Sequence, residues 1–175
     1  MAGHLTASDP VASERRTSEA STVYAEGITA GLVGAATIAL WFLVVDTIGG
    51  RPLYTPTVLG TALLQGSTAL ARPGELSVDL ETVLAFTWLH VLAFLLIGVA
   101  AAKLLELAER DASFGFGIVL LFVIFEAGFF VVSMLFAEPL LSALAWPAVL
   151  AGNLLAAATM AWIFWRRHPR LAIRP

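Results

Sequence analysis

Four long apolar runs constrain this chain more than any other feature. They cover about 27–46, 82–106, 114–137 and 140–165, and each reaches the ~20 residues a helix needs to cross a hydrocarbon core about 30 Å thick. Inside lipid, a backbone segment of this length satisfies its N–H and C=O groups internally only as a helix. The predicted fold is all-α, an integral membrane four-helix bundle. The start of the fourth run has two readings, because Trp146-Pro147 either kinks a helix begun at Leu140 or opens one, proline being suited to a first helical turn.

Composition agrees with that reading. The chain is 59% hydrophobic and 13% charged, against roughly half and a quarter in a soluble domain. A net charge of −3 and dispersed basic residues give no nucleic-acid footprint. With no cysteine there is no disulfide framework, thiolate metal site or CxxC redox motif. Arginine outnumbers lysine nine to one, a bias associated with GC-rich bacterial genomes, so a bacterial cytoplasmic membrane is the expected location.

Residues 1–22 lack apolar periodicity and read as a disordered cytoplasmic tail, 23–168 as the membrane domain, and 169–175 as a second cytoplasmic tail. A cleavable signal peptide is not expected, since the first apolar run opens near Gly27 and is long enough to span. Four crossings put both termini on one side, and the basic residues choose it. Eight of the ten, namely Arg15, Arg16, Lys103, Arg110, Arg166, Arg167, Arg170 and Arg174, fall on the side of the termini, leaving Arg51 and Arg72 opposite. The positive-inside rule makes that side cytoplasmic. Trp41, Trp88 and Trp146 then mark the outer interface, and Tyr24, Trp162 and Trp165 the inner one.

The connection between the first two runs is the longest, bounded by Gly49-Gly50 and broken again at Pro73-Gly74. Within it Thr55 can cap a helix that begins at Pro56, turns Val58, Leu59, Ala62 and Leu63 to one side, and stops at Gly66. A short extra interfacial helix, lying at the outer surface or folded back on the bundle, is expected there. The link near 107–113 is short, which makes the second and third spans antiparallel neighbours, and Glu106 four residues before Arg110 supports a helical extension below the membrane.

Helices in lipid associate through close backbone approach and interhelical hydrogen bonds. Gly27, Gly31, Ala35 and Ala39 form a small-residue stripe on the first span, and Ala148, Gly152 and Ala156 one on the fourth; both are candidate packing seams. The polar residues inside the runs reduce to His90, Glu126 and Asn153, with Asp46 read as a solvated residue at the outer mouth of the first span. Thr87 and Ser133 share helical faces with His90 and Glu126. These residues are the candidate intramembrane polar cluster. At 1.5 Å per residue His90 and Asn153 lie about 9–10 Å from the outer ends and Glu126 about 16 Å, so a direct His90–Glu126 bond requires a shifted span boundary or a bridging water. His90 is either a hydrogen-bonded packing residue or a ligand- or proton-handling one, and Glu126 has the same two readings.

No GxSxG, HExxH or P-loop is present, no catalytic residue or metal site stands out, and no motif specifies a cofactor. The function expected is that of a small polytopic membrane protein without catalytic activity, an accessory or assembly subunit. Its partners are then the lipid bilayer and either other membrane subunits or further copies of itself. Two alternatives stay open: a proton-coupled transporter or channel using Glu126 and His90, and a haem- or quinone-binding membrane anchor.

Overall fold

A computed structural model describes residues 10–70, 76–110 and 146–167. The third apolar run, with Glu126 and Ser133, and both chain ends lie outside the described residues, as do positions 140–145 at the disputed start of the fourth run. Four helices are described, α1 (Pro10–Ile48), α2 (Tyr54–Gln65), α3 (Leu80–Arg110) and α4 (Trp146–Arg167), together with one 3₁₀ turn, Ser67–Leu70. Among the described residues three segments are long and apolar enough to cross a membrane, Ser21–Ile48, Leu80–Glu109 and Pro147–Arg167. On α3 the stripe Leu84, Trp88, Leu92 and Leu96 is uncovered by the other described residues, with Trp88 74% exposed. An unbroken apolar face of that kind is consistent with contact to lipid.

Helix α1 runs through 39 residues, about 58 Å at the α-helical rise. It includes positions 10–22, where the sequence predicted an irregular tail. Ser- and Thr-rich composition lowers local helix propensity, but a helix already nucleated downstream extends at the cost of only one residue's ordering per step.

The other end of α1 stops as its glycines predict. Gly50 adopts φ 73°, its N–H donates to Thr47 O (3.0 Å), and the Arg51 N–H donates to Asp46 O (2.9 Å). This is a Schellman turn, in which the left-handed residue lets two orphan carbonyls find donors. The chain then enters α2 through Leu53, the one described non-glycine residue with positive φ, at 66°. Thr55 was expected to cap this helix. Instead the helix opens two residues earlier at Tyr54, no side-chain bond caps it at Leu53, and Thr55 serves a different partner described below. The predicted stop is in place: Gly66 takes φ 84° and donates its N–H to Ala62 O.

At the start of α3, Asp79 caps the helix. Its carboxylate accepts the Thr82 N–H (3.1 Å), the Thr82 hydroxyl (2.6 Å) and the Glu81 N–H (3.3 Å). The hydroxyl and then the N–H of Thr82 hold this carboxyl below the ordinary aspartate range. A depressed folded-state value means that the cap stabilises the helix above the ordinary aspartate pKa and loses that contribution as pH falls through the lowered one. Amide exchange at residues 81–83 should therefore be slower in the wild type than in Asp79→Ala at neutral pH. The difference should vanish in strong acid, and a pH-independent difference would refute the assignment.

Helix α1 is the centre of the arrangement and packs against both α3 and α4. A Cβ on Gly27 would stand 2.6 Å from Val99 Cα, one on Gly31 would overlap the Phe94 carbonyl oxygen, and one on Gly98 would overlap the Gly27 carbonyl oxygen. Backbone meets backbone here, as small residues in membrane helices permit. Gly31 and Ala35 are buried, so three of the four predicted α1 seam residues sit in the contact. Ala39 does not, and is exposed. The helices cross near Gly31 and diverge beyond it, so a residue two turns further on faces a gap.

On its other side α1 meets α4 at glycine positions again. Gly34 admits Met160, whose Sδ is 2.6 Å from where a Cβ would be, and Gly152 admits the Trp41 indole at 2.8 Å. Trp41 was read as an interfacial residue; its Nε1–H donates to Ala148 O at 2.7 Å, tying α1 to α4 near the start of that helix. Thr37 and Thr159 hydroxyls meet at 3.3 Å, and Glu26, itself buried, pairs with Arg167 at 3.6 Å. Both α3 and α4 therefore run antiparallel to α1 and parallel to each other. Below the crossing, Ala30, Ala102, Leu105, Met160 and Phe164 close a core among the three helices. Glu106 forms its ion pair with Lys103 (3.4 Å), one turn back along α3.

Candidate functional site

Above the Gly31–Gly98 crossing the splayed helices leave a cavity of about 590 Å³. Helix α2 forms a further wall. It folds back against α3, where a Cβ on Gly60 would stand 2.7 Å from Thr82 Cγ2, and the small core it forms from Val58 and Ala62 with Leu70 of the 3₁₀ turn takes in Val149 of α4. The lining is mostly hydrocarbon, with Phe42, Leu59, Ala93 and Val149 among it. Its polar side chains are Asp46 from α1, Thr55 from α2, Thr87 and His90 from α3, and Asn153 from α4.

The structure thus brings together four of the six residues of the predicted polar cluster: Asp46, Thr87, His90 and Asn153. Glu126 and Ser133 lie outside the described residues. From the observed starts of their helices, Leu80 and Trp146, His90 and Asn153 lie ten and seven residues in, and both line the cavity.

Asp46 corrects the sequence reading. It was expected to be solvated, and is 6% exposed. Its Oδ2 accepts the Thr55 N–H and its Oδ1 the Thr55 hydroxyl, each at 2.7 Å. The same residue's carbonyl already accepts the Arg51 N–H in the Schellman turn. One aspartate therefore ends α1, and its carboxylate satisfies an orphan N–H in the first turn of α2, the role usually taken by a local cap. Sequence reasoning missed this because the partners are nine residues apart across a turn of unknown geometry. The available signal was a carboxylate followed by two glycines and then Thr-Pro.

His90 stands between two rings of its own helix. Phe86 stacks on it with centroids 5.8 Å apart, and Phe94 tilts against it at 4.8 Å. The ring also faces the Ala35 carbonyl of α1. Its Nε2 is buried with no hydrogen-bond partner, a condition rare in native proteins that calls for an explanation. Thr87 cannot supply one by donation, since its hydroxyl donates to Val83 O at 2.7 Å. Among the described residues no three His, Asp or Glu side chains converge as a metal site would require.

Among the described residues the chain is helical, with three segments long and apolar enough to cross a membrane and a largely apolar cavity between the helices. No family model matches the chain, nor does any curated protein or solved structure.

Proposed function

We propose that this protein is a membrane-embedded binding protein, holding a largely apolar small molecule in the cavity between α1, α2, α3 and α4. The observation that carries the reading is the cavity itself. A space of about 590 Å³ falls within the ~300–1,000 Å³ range of ligand sites, which are typically apolar with a few placed polar groups. The short loops and scarce charge led us to expect an accessory role without catalytic activity, and the cavity gives that role a content. Proton transfer would need Glu126, on which the described residues carry no observation.

Four crossings with both termini in the cytoplasm complete the proposal. Helices α3 and α4 are parallel, so the chain leaving Arg110 at one end of the bundle has to return to the other end before Trp146. The apolar run 114–137 is long enough to make that return through lipid. Lys103, Arg166 and Arg167 sit at the end of the bundle that the positive-inside rule assigns to the cytoplasm, and Arg51 at the opposite end.

The test is mass spectrometry of the protein extracted gently and released intact from its micelle. The wild type should carry a bound apolar molecule in near-stoichiometric amount. Ala93→Trp, which fills the cavity from an exposed position on α3, should lose it while keeping the wild-type elution profile. A wild-type protein that carries nothing and takes up no added apolar compound would refute the proposal.

A further inference from the structure

The depth of the cavity and the charge at its mouth say which class of molecule fits, and this inference rests on the cavity reading above. Along α3 the lining runs from Val83 to Phe94, about 16 Å at the helical rise. A hydrocarbon core about 30 Å thick gives each leaflet about half that depth. The floor lies where the Phe94 ring packs on Gly34 of α1. The cavity is therefore about as deep as one leaflet, the one on the α2 side. It is also open along its flank among the described residues: Leu40 and Leu43 of α1, Leu63 of α2 and Leu89 of α3 line it and are exposed. A chain lying in that leaflet can enter sideways without crossing water.

Size sets a second limit. At the ~30 Å³ that a water-sized atom occupies in a liquid, the cavity has room for about twenty non-hydrogen atoms, one acyl chain rather than two. Its walls offer that chain little polarity: the His90 Nε2 is itself buried, and the one carboxylate among the lining residues, Asp46, has each oxygen engaged by Thr55. Charge is met at the mouth instead. Arg51 donates its N–H to the Asp46 carbonyl (2.9 Å) and accepts the Tyr54 N–H (3.1 Å), so its backbone stands beside Asp46 and Leu53, which both line the cavity. The Arg51 side chain is exposed, with its guanidinium carbon 3.8 Å from the centroid of the Tyr54 ring. Stacking of this kind fixes the guanidinium plane and leaves its N–H edges free to meet a phosphate in bidentate fashion.

We propose that the cavity binds a glycerophospholipid of the leaflet on the α2 side, with one acyl chain between α1 and α3, the second chain outside in the bilayer, and the phosphate on Arg51. The cavity selects a chain of one leaflet's length, and Arg51 selects the phosphodiester that a membrane lipid carries where its chains begin. A neutral glyceride fills the cavity but leaves the guanidinium without an anion. A cationic amphiphile sets like charge against it.

Probes that share an oleoyl chain separate the head from the tail: dioleoyl phosphatidylglycerol, dioleoylglycerol, oleic acid and dioleoyl trimethylammonium-propane. Each is added at the same concentration to the purified full chain in mild detergent, and the fraction carrying one bound molecule is read by mass spectrometry of the intact complex. The phospholipid should bind about tenfold or more tighter than the glyceride, the difference expected for a charge-assisted pair. In Arg51→Gln that ratio should fall close to one with glyceride binding unchanged. It is a ratio within each protein, so partial loss of folded protein cancels. Ala93→Trp, which fills the cavity, should lose both lipids. Equal binding of phospholipid and glyceride, a preference for oleic acid or the cationic lipid, an undiminished ratio in Arg51→Gln, or phospholipid kept by Ala93→Trp while the glyceride is lost would overturn the proposal and leave the cavity reading intact. Failure of every probe to bind, or retention of all of them in Ala93→Trp, would remove both.

Discussion

Gly98→Leu should prevent the helices from assembling. A Cβ at this position overlaps the Gly27 carbonyl oxygen and lies 2.7 Å from the Gly31 N and 2.9 Å from its Cα. All three atoms are backbone, so no rotamer change relieves the contact and α1 and α3 must separate along their crossing. Overpacking in a well-packed core costs about 1–3 kcal/mol and sometimes more, and a leucine against two helix backbones belongs at or above the top of that range. The cavity should go with it, because its walls are set by the angle at which the helices leave the crossing. Size-exclusion profiles and thermal unfolding of a fluorescent fusion would check this. Gly49→Ala is the control, since the nearest atom to its new Cβ is 3.4 Å away, and it should behave as wild type. A Gly98→Leu protein with the wild-type profile and midpoint would mean that the crossing is wrong.

Asp46→Ala should release α2. The substitution removes both acceptors of Thr55 and leaves a buried N–H at the start of a helix whose preceding residue, Leu53, offers no side-chain cap. Hydrogen bonds to charged groups contribute about 1.5–3 kcal/mol each, although the two share one carboxylate and will not add fully. A loss of about 3 kcal/mol, concentrated in α2, is the expectation. The left-handed Leu53 favours that release, because such a leucine costs of order 1 kcal/mol and persists only while its surroundings hold it. Limited proteolysis should cut between Gly50 and Tyr54 in Asp46→Ala but not in the wild type. Asp46→Asn should fall between the two, retaining one carbonyl acceptor. Equal resistance in all three proteins would show that α2 is held by its packing on α3 alone.

Much of this was legible in the chain. Length and hydropathy of the apolar runs mark three of the described helices as long and apolar enough to cross a membrane, and the glycine pair at 49–50 and the single glycine at 66 mark two turns that require positive φ. The fourfold spacing of Gly27, Gly31 and Ala35 identifies the face of α1 that meets α3. Gly34 was not singled out, though it seats Met160. It lies off that stripe because α1 contacts two helices at once, and a single periodicity can mark only one face.

What the sequence alone determined is local: which segments are helical and apolar, and where they stop. Those are properties of a segment and its immediate neighbours, set by hydrocarbon burial, helical rise and the freedom of glycine. What only the tertiary structure decided is the space between segments. The crossing of α1 and α3 at Gly31 and Gly98, the splay above it, the return of α2 as a wall, and the capture of Thr55 by Asp46 all depend on angles between helices. Those angles come from interdigitating side chains far apart in the sequence, and no periodicity within one helix encodes them. The buried, unpartnered His90 Nε2 therefore became visible only when the four walls around it were in place.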